Sequence, residues 1–443
     1  PVDIIYGKPL PPDTPPYRIR LAIGELSSDW YDLRKSDCRP LGQLLARSAR
    51  RNWSRPAIAD TMGKKLTYGK MFIAANALAA ELAPRFEGQE KVGIVMPATV
   101  GGALANYAAT MLGKVTVNLN FTASNEAIAS AIKQCNIKTI VTSKKFMEYL
   151  ASPAVGRPLD FNCSMLYLED ISAGITGAAK FKALLKALFL PESSFAGGHG
   201  PDSVATIIFS SGTTGEPKGV LLSHYNLVSN MEAFGTVLRF TRDDRMCAAL
   251  PFFHSFGFTC TLWFPLVTGF SACHHPNPLE GEKIARIVRE NRSTVLLATP
   301  TFLLAYIRRA RPEDFASLRV VITGAEKLRR KIADSFEEKF KLAPLEGYGV
   351  TELSPVVSVN IPDMDIGGVL QRGTLKGTIG QPIPGVCAKA VGADGTTPLP
   401  PGEEGLLCIK GPNVMLGYLN KPETTAEAIK EGWYDTGDIA KLD

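Results

Sequence analysis

From about Leu66 onward, short runs of apolar and β-branched residues alternate with stretches whose apolar positions recur at helical spacing. This is the pattern of α/β units on a mostly parallel sheet, because a strand covered on both faces reads as an unbroken apolar run. The strands it predicts are KVGIVMP (91–97), KTIVTS (138–143), SMLYLED (164–170), ATIIFSS (205–211), STVLLAT (293–299), RVVITGA (319–325) and PLEGYG (344–349). The run SHYNLVSNMEAFGTVL predicts a helix with Ser223 as its N-cap. Two long stretches free of Asp, Glu, Lys and Arg, Val92–Gly113 and Met246–Leu279, contain Pro97, Asn106, Pro251, Pro265 and His254. They read as buried strand-plus-helix segments and not as membrane spans. Beyond about Gly373, in GTIGQPIPGVCAKAV and GEEGLLCIKGP, the texture changes to short strands broken by Gly and Pro, which predicts a small antiparallel sheet or barrel.

At 443 residues the chain is long enough for two or three lobes around large cores. A net charge of +6, from 49 basic and 43 acidic residues mixed along the chain, does not imply nucleic acid, although it allows an anionic ligand or membrane surface. Eight scattered cysteines with no C-x-x-C pair imply a reducing compartment, and hence the cytoplasm. The consecutive Cys273, His274 and His275 do not make a metal site, since neighbours on an extended segment point to opposite faces. The N-terminus lacks the basic and apolar regions of a signal peptide. In KFKALLKALFL (180–190), Phe181, Leu184, Leu185, Leu188 and Phe189 follow helical spacing beside Lys182 and Lys186. Such a stripe suits either core packing or the inner face of an anionic membrane.

The candidate chemistry lies at strand ends. Ligands of open α/β sheets gather beyond the carboxyl ends of the strands. SSGTTGEPKG follows ATIIF, TGAE follows RVVI and GYGVTE follows APLE, so one crevice is positioned to collect all three. The first cluster is not a Walker loop, because Pro217 falls where the second glycine belongs and Lys218 is followed by Gly219, not by a hydroxyl residue. It is still a donor-rich, cationic segment suited to a polyphosphate.

Taken in order, SSGTTGEPKGV (210–220), PFFHSFG (251–257), TGAE (323–326), GYGVTE (347–352), GPNVMLGYL (411–419) and YDTGD (434–438) resemble the adenylate-forming acyl and aryl ligases over about residues 40–443. MPATVGGALANYAA, LEGYGVTELSPVVSVN and GWYDTGDIAKLD are closer still to the synthetase half of the bifunctional acyl-acyl-carrier-protein synthetase/2-acylglycerophosphoethanolamine acyltransferases. The resemblance implies an α/β fold of two layered subdomains (38–372) and a small β-barrel-like subdomain (373–443). It implies activation of a fatty acid by ATP and Mg2+ as acyl-adenylate, then transfer to the thiol of acyl carrier protein. Coenzyme A is the alternative acceptor, and a non-catalytic nucleotide- or lipid-binding module is the alternative class. Residues 1–37 are similar to the end of an acyltransferase domain, or form a local extension. The family continues into a small mobile domain with a catalytic lysine, so the stretch 1–443 by itself is expected to bind nucleotide and to adenylate poorly.

By the same resemblance, Ser211, Gly212, Thr213, Thr214 and Lys218 face the β- and γ-phosphates. Thr351 touches phosphate and Glu352 holds magnesium. Tyr348, between Gly347 and Gly349, stacks on adenine opposite Gly324, Ala325 and Glu326, while Asp438 takes the ribose hydroxyls. His254 stands near the substrate carboxylate. From the residues alone each has a plainer reading: Glu352 as a carboxylate at a helix start, Tyr348 and His254 as core residues, Asp438 as a turn former. The residues after His254, through Trp263 and Phe264, and Thr299–Leu304 are expected to wall an apolar tunnel.

Overall fold

The computed structural model describes all residues except 1, 2, 154, 160, 211–215 and 393. Two large α/β sheets, a small four-stranded antiparallel sheet and the hairpin Met364–Ile366/Val369–Gln371 form the architecture; the α/β units and the small antiparallel sheet are those the hydrophobic pattern predicts, and the two layers those the resemblance implies. The first sheet runs, from edge to edge, Gly417–Tyr418, Lys218–Ser223, Val204–Ser210, Val115–Asn118, Lys91–Ile94, Thr139–Thr142 and Ser164–Tyr167. Its last five strands are parallel and its first two antiparallel. The second runs Gln381–Pro382, Val356–Val359, Leu345–Gly349, Val320–Thr323, Val295–Ala298, Arg245–Ala248, Ser271–His274, Pro56–Asp60 and Lys65–Thr67.

The central strands VTVN, TIVT, VLLA and VVIT are buried at every position, which is why they read as continuous apolar or β-branched runs. Both charge-free stretches resolve into strand plus helix. Lys91–Ile94 feeds the helix Val100–Met111, capped by Thr99, and Arg245–Ala248 leads through helical turns over 255–268 to Ser271–His274. Among the described residues no helix is long and apolar enough to cross a membrane.

The helix His224–Val237 has the predicted cap: the Ser223 hydroxyl accepts from Asn226 N–H, and the Asn226 side chain answers with a bond from Ser223 N–H. The phosphate-loop candidate does not open that helix, because Lys218 begins a strand that returns antiparallel to Val204–Ser210, pairing Lys218 with Ser210. Apolar alternation in KGVLLS is masked by the Lys-Gly pair that begins it and the hydroxyl that ends it.

The small sheet, Cys387–Val391, Gly405–Lys410, Trp433–Ala440 and Ile429–Lys430, is open and four-stranded rather than a closed barrel. The helix Pro16–Leu33 packs beside it: Cys387 Sγ donates to Leu21 O, Lys410 pairs with Asp29 at 2.9 Å, and Tyr225 Oη donates to Tyr31 O. The helix Gly177–Phe189 buries Ala183 and Ala187 and turns Phe181, Leu185, Leu188 and Phe189 outward. Its apolar stripe is therefore not core packing.

Candidate active site

A cleft of about 630 Å³ opens where the carboxyl ends of both large sheets meet one strand of the small sheet. Ser210 and Lys218 arrive from the first sheet, Thr323, Gly324 and Tyr348 from the second, and Tyr434, Asp435 and Thr436 from the small one. Gly349 is required by packing alone, since a Cβ there would lie 2.0 Å from Pro355 O. Gly257, which closes the PFFHSFG turn, is held by the same distance to Pro251 O. Ala325, at φ +68, holds a left-handed backbone that a non-glycine residue adopts at some cost, and it lines the cleft.

Glu352 is 8 % exposed and sits in the short turn Thr351–Leu353 just past the strand Leu345–Gly349. Tyr418 Oη and Ser210 Oγ both donate to its Oε1, at 3.1 and 3.4 Å. Among the described residues it has no cationic partner. Thr351 Oγ1 lies 3.2 Å from Ser255 Oγ, so two hydroxyls stand together on the wall beside it. Lys218 Nζ lies over the Tyr418 ring, 5.1 Å from its centroid. Cation–π contact of this kind holds the ammonium while leaving it free to meet an anion.

His254 caps the helical turn Ser255–Gly257, its Nδ1 accepting from Phe256 N–H at 3.2 Å. That bond leaves the proton of the neutral ring on Nε2. The ring reaches solvent through the cleft, yet the protein packed around it lowers its pKa below the ordinary histidine value. Tyr348 Oη donates to Asp438 Oδ2. Burial first, and then the Asp438 hydrogen bond, push the Tyr348 phenol upward, so it stays a donor.

Lys218, His254, Gly324, Ala325, Gly347, Tyr348, Gly349, Thr351 and Glu352 thus line one cleft. Asp438 stands at its edge through Tyr348. Glu326 is exposed, bonded to Thr301, and does not line it. Ser211, Gly212, Thr213 and Thr214 lie outside the described residues. The sequence reading missed Ser255, Tyr418 and Tyr434, although PFFHSFG, GPNVMLGYL and YDTGD contain them. Tyrosines in an apolar setting carry no signal that separates a packing role from a hydroxyl aimed at a carboxylate.

Phe256, Ile322, Val356 and Val359 belong both to this cleft and to an enclosed apolar cavity of about 20 Å³ that runs on to Cys260 and Phe264. Residues 256, 260 and 264 share a face at helical spacing. Of the walls expected from sequence, Phe264 lines this cavity, whereas Trp263 turns toward Tyr107, centroid to centroid 5.1 Å. Thr299–Leu304 do not line it either: Thr299 caps the helix Pro300–Arg309. The Cys273–His275 segment splits as its alternation requires, with His274 against Phe252 and His275 bonded to Thr61 and Glu280. No metal cluster of His, Cys, Asp and Glu occurs among the described residues.

The profile of the AMP-binding enzymes matches residues 45–419. The chain belongs to the AMP-binding enzyme family. It is 27 % identical over 430 residues to a long-chain-fatty-acid–CoA ligase of Escherichia coli O6:H1, covering 91 % of this chain and 75 % of the ligase. It is 30 % identical over 404 residues to 4-coumarate–CoA ligase 2 of Oryza sativa subsp. japonica, covering 87 % and 69 %. Among solved structures it is similar to ATP-bound MatB of Rhodopseudomonas palustris, with a TM-score of 0.72, 27 % identity and coverage of 91 % and 77 %. Of the motif residues described in this AMP-binding enzyme, most line one cleft, while Glu326 and Asp438 do not.

Proposed function

We propose that this AMP-binding enzyme joins a fatty acid to the α-phosphate of ATP, releasing pyrophosphate, and then passes the acyl group from AMP to a thiol. The observation that carries the reading is the single cleft in which a lysine, a pair of hydroxyls and a carboxylate with no cationic partner among the described residues stand together and an apolar cavity leads away. A carboxylate attacking a polyphosphate must overcome repulsion between anions, so catalysis rests on charge neutralisation and positioning. Lys218 faces the β- and γ-phosphates, Thr351 donates to phosphate oxygen, and His254 Nε2–H orients the attacking carboxylate.

Glu352 fits magnesium: it is a carboxylate with one oxygen held by two hydroxyl donors, beside further hydroxyls, and hard oxygen ligands are what that ion takes. Bound there, Mg2+ supplies charge to the phosphates. Tyr348, with Gly324 and Ala325 across the cleft, takes adenine, and Asp438 takes ribose. The acyl chain enters past Phe256 toward Phe264, which requires that ring to swing aside. The relatives' names favour coenzyme A as acceptor, while the closer motif likeness keeps acyl carrier protein as the second reading. In this reading 38–372 form the adenylation core and 373–443 a smaller β-rich unit.

The test offers the full-length polypeptide labelled palmitate and MgATP with coenzyme A or with holo acyl carrier protein in separate reactions. Palmitoyl-CoA as the preferred product supports the ligase reading. Preference for the carrier protein supports the synthetase reading. Formation of neither, with no palmitate-dependent loss of ATP, contradicts both.

A further inference from the structure

We propose that Tyr418 is a positioning residue that couples the phosphate-facing lysine to the metal-facing carboxylate. The inference rests on the function proposed above and concerns a tyrosine to which that reading gives no role. Tyr418 lies on the two-residue strand Gly417–Tyr418, which pairs with Leu221 and Val220. Leu419 N–H donates to Gly219 O at 2.8 Å, and Tyr418 N–H to Thr425 Oγ1 at 2.9 Å. Its backbone is thereby fixed to the strand that begins at Lys218.

From that anchor the 7 %-exposed side chain makes two unlike contacts. The ring face lies under Lys218 Nζ, and the hydroxyl donates to Glu352 Oε1. A third partner, Tyr434 Oη on the small sheet, lies 3.4 Å from Tyr418 Oη. Since the single proton of Tyr418 is committed to the carboxylate, Tyr434 is the donor of that pair.

Three sheets therefore meet at one hydroxyl. Among the described residues every hydrogen bond to the Glu352 carboxylate falls on Oε1. That arrangement fixes the carboxylate's rotation and leaves Oε2 for a cation. Groups that orient a metal ligand in this way commonly account for roughly 10-fold or more in metal affinity.

Calorimetric titration of ATP in EDTA and in Mg2+ tests the inference without requiring turnover. Tyr418→Phe keeps the ring and removes the hydroxyl. It should lower the Mg2+-dependent gain in ATP affinity roughly 10-fold while leaving the metal-free Kd within about twofold. Tyr418→Leu, which also removes the ring from Lys218, should weaken metal-free ATP binding as well. In a Glu352→Gln background, Tyr418→Phe should add no further loss, because the two act through one interaction. A Tyr418→Phe protein with the wild-type Mg2+ gain overturns the inference while leaving the proposed function standing. Additive losses, or a loss equal in EDTA and Mg2+, reduce Tyr418 to a packing residue and overturn it too. No ATP binding by the wild-type protein overturns the underlying function and this inference with it.

Discussion

At the scale of single residues, His254 shows how local hydrogen bonding decides chemistry. Its Nδ1 is committed to Phe256 N–H and its pKa is lowered by burial, so the ring is neutral with Nε2–H available over the working range. A base whose folded pKa is depressed stays unprotonated until the pH falls below its ordinary value near 6.5. The pH profile of kcat/KM for fatty acid should therefore be flat, within about twofold, from pH 8 to 6.5, with any acid limb from this residue below that. His254→Ala should lose about tenfold, the equivalent of one hydrogen bond, and should lose that limb. A wild-type limb centred above 6.5, or an unchanged rate in the variant, would count against the assignment.

At the scale of elements, the helix Gly177–Phe189 presents Phe181 at 61 % and Phe189 at 77 % exposure with Leu185 and Leu188 between them. Lys180, Lys182 and Lys186 share the helix, which carries no acidic residue. Apolar side chains flanked by lysines suit a surface of anionic lipid. Sedimentation with phosphatidylglycerol vesicles should fall several-fold on reversing all three charges, and binding to neutral phosphatidylcholine vesicles should be weak in both proteins. Equal sedimentation of the variant would retire the membrane role. The periodicity that gave this helix was visible in the sequence, but the outward direction of its stripe was not, because only the tertiary partner of Ala183 and Ala187 decides it. The parallel strands were legible for the opposite reason: burial on both faces writes itself as an apolar run. Lys218 was illegible as a strand residue, since KGVLLS, with a glycine second and a serine last, gives no firm alternation. The Tyr418–Glu352–Tyr434 contact joins residues 66 and 16 positions from Tyr418, a distance no local pattern reports.

At the scale of the whole molecule, three histidines are buried, His224, His274 and His275, and for the first two the effect on protonation is large. Burial lowers the pKa of His224 to about 3 and of His274 to about 4. Between those values and the ordinary 6.5 the unfolded chain binds more protons than the folded one, so stability falls as pH falls. Each group contributes up to about 1.4 kcal/mol per pH unit in that window. Urea midpoints should decline steadily from pH 6.5 to 4.5, and His274→Leu should flatten the slope, because its ring nitrogens have no partner among the described residues. A midpoint independent of pH over this range would show that the two rings are hydrated.

In the function proposed above, one cleft holds nucleotide and acyl chain together. Titrating the protein with the hexadecanoyl sulfamate of adenosine, a stable stand-in for the acyl-adenylate, and with adenosine sulfamate alone tests this without turnover. At about 0.8 kcal/mol per buried methylene, four methylenes held past Phe256 add about 3 kcal/mol, so the acylated ligand should bind more than about 100-fold tighter. A Cys260→Val variant, whose extra methyl enters the cavity, should lose part of that gain and keep its affinity for adenosine sulfamate. Equal affinity of the two ligands for the wild-type protein would mean that the acyl chain is not held beside the nucleotide.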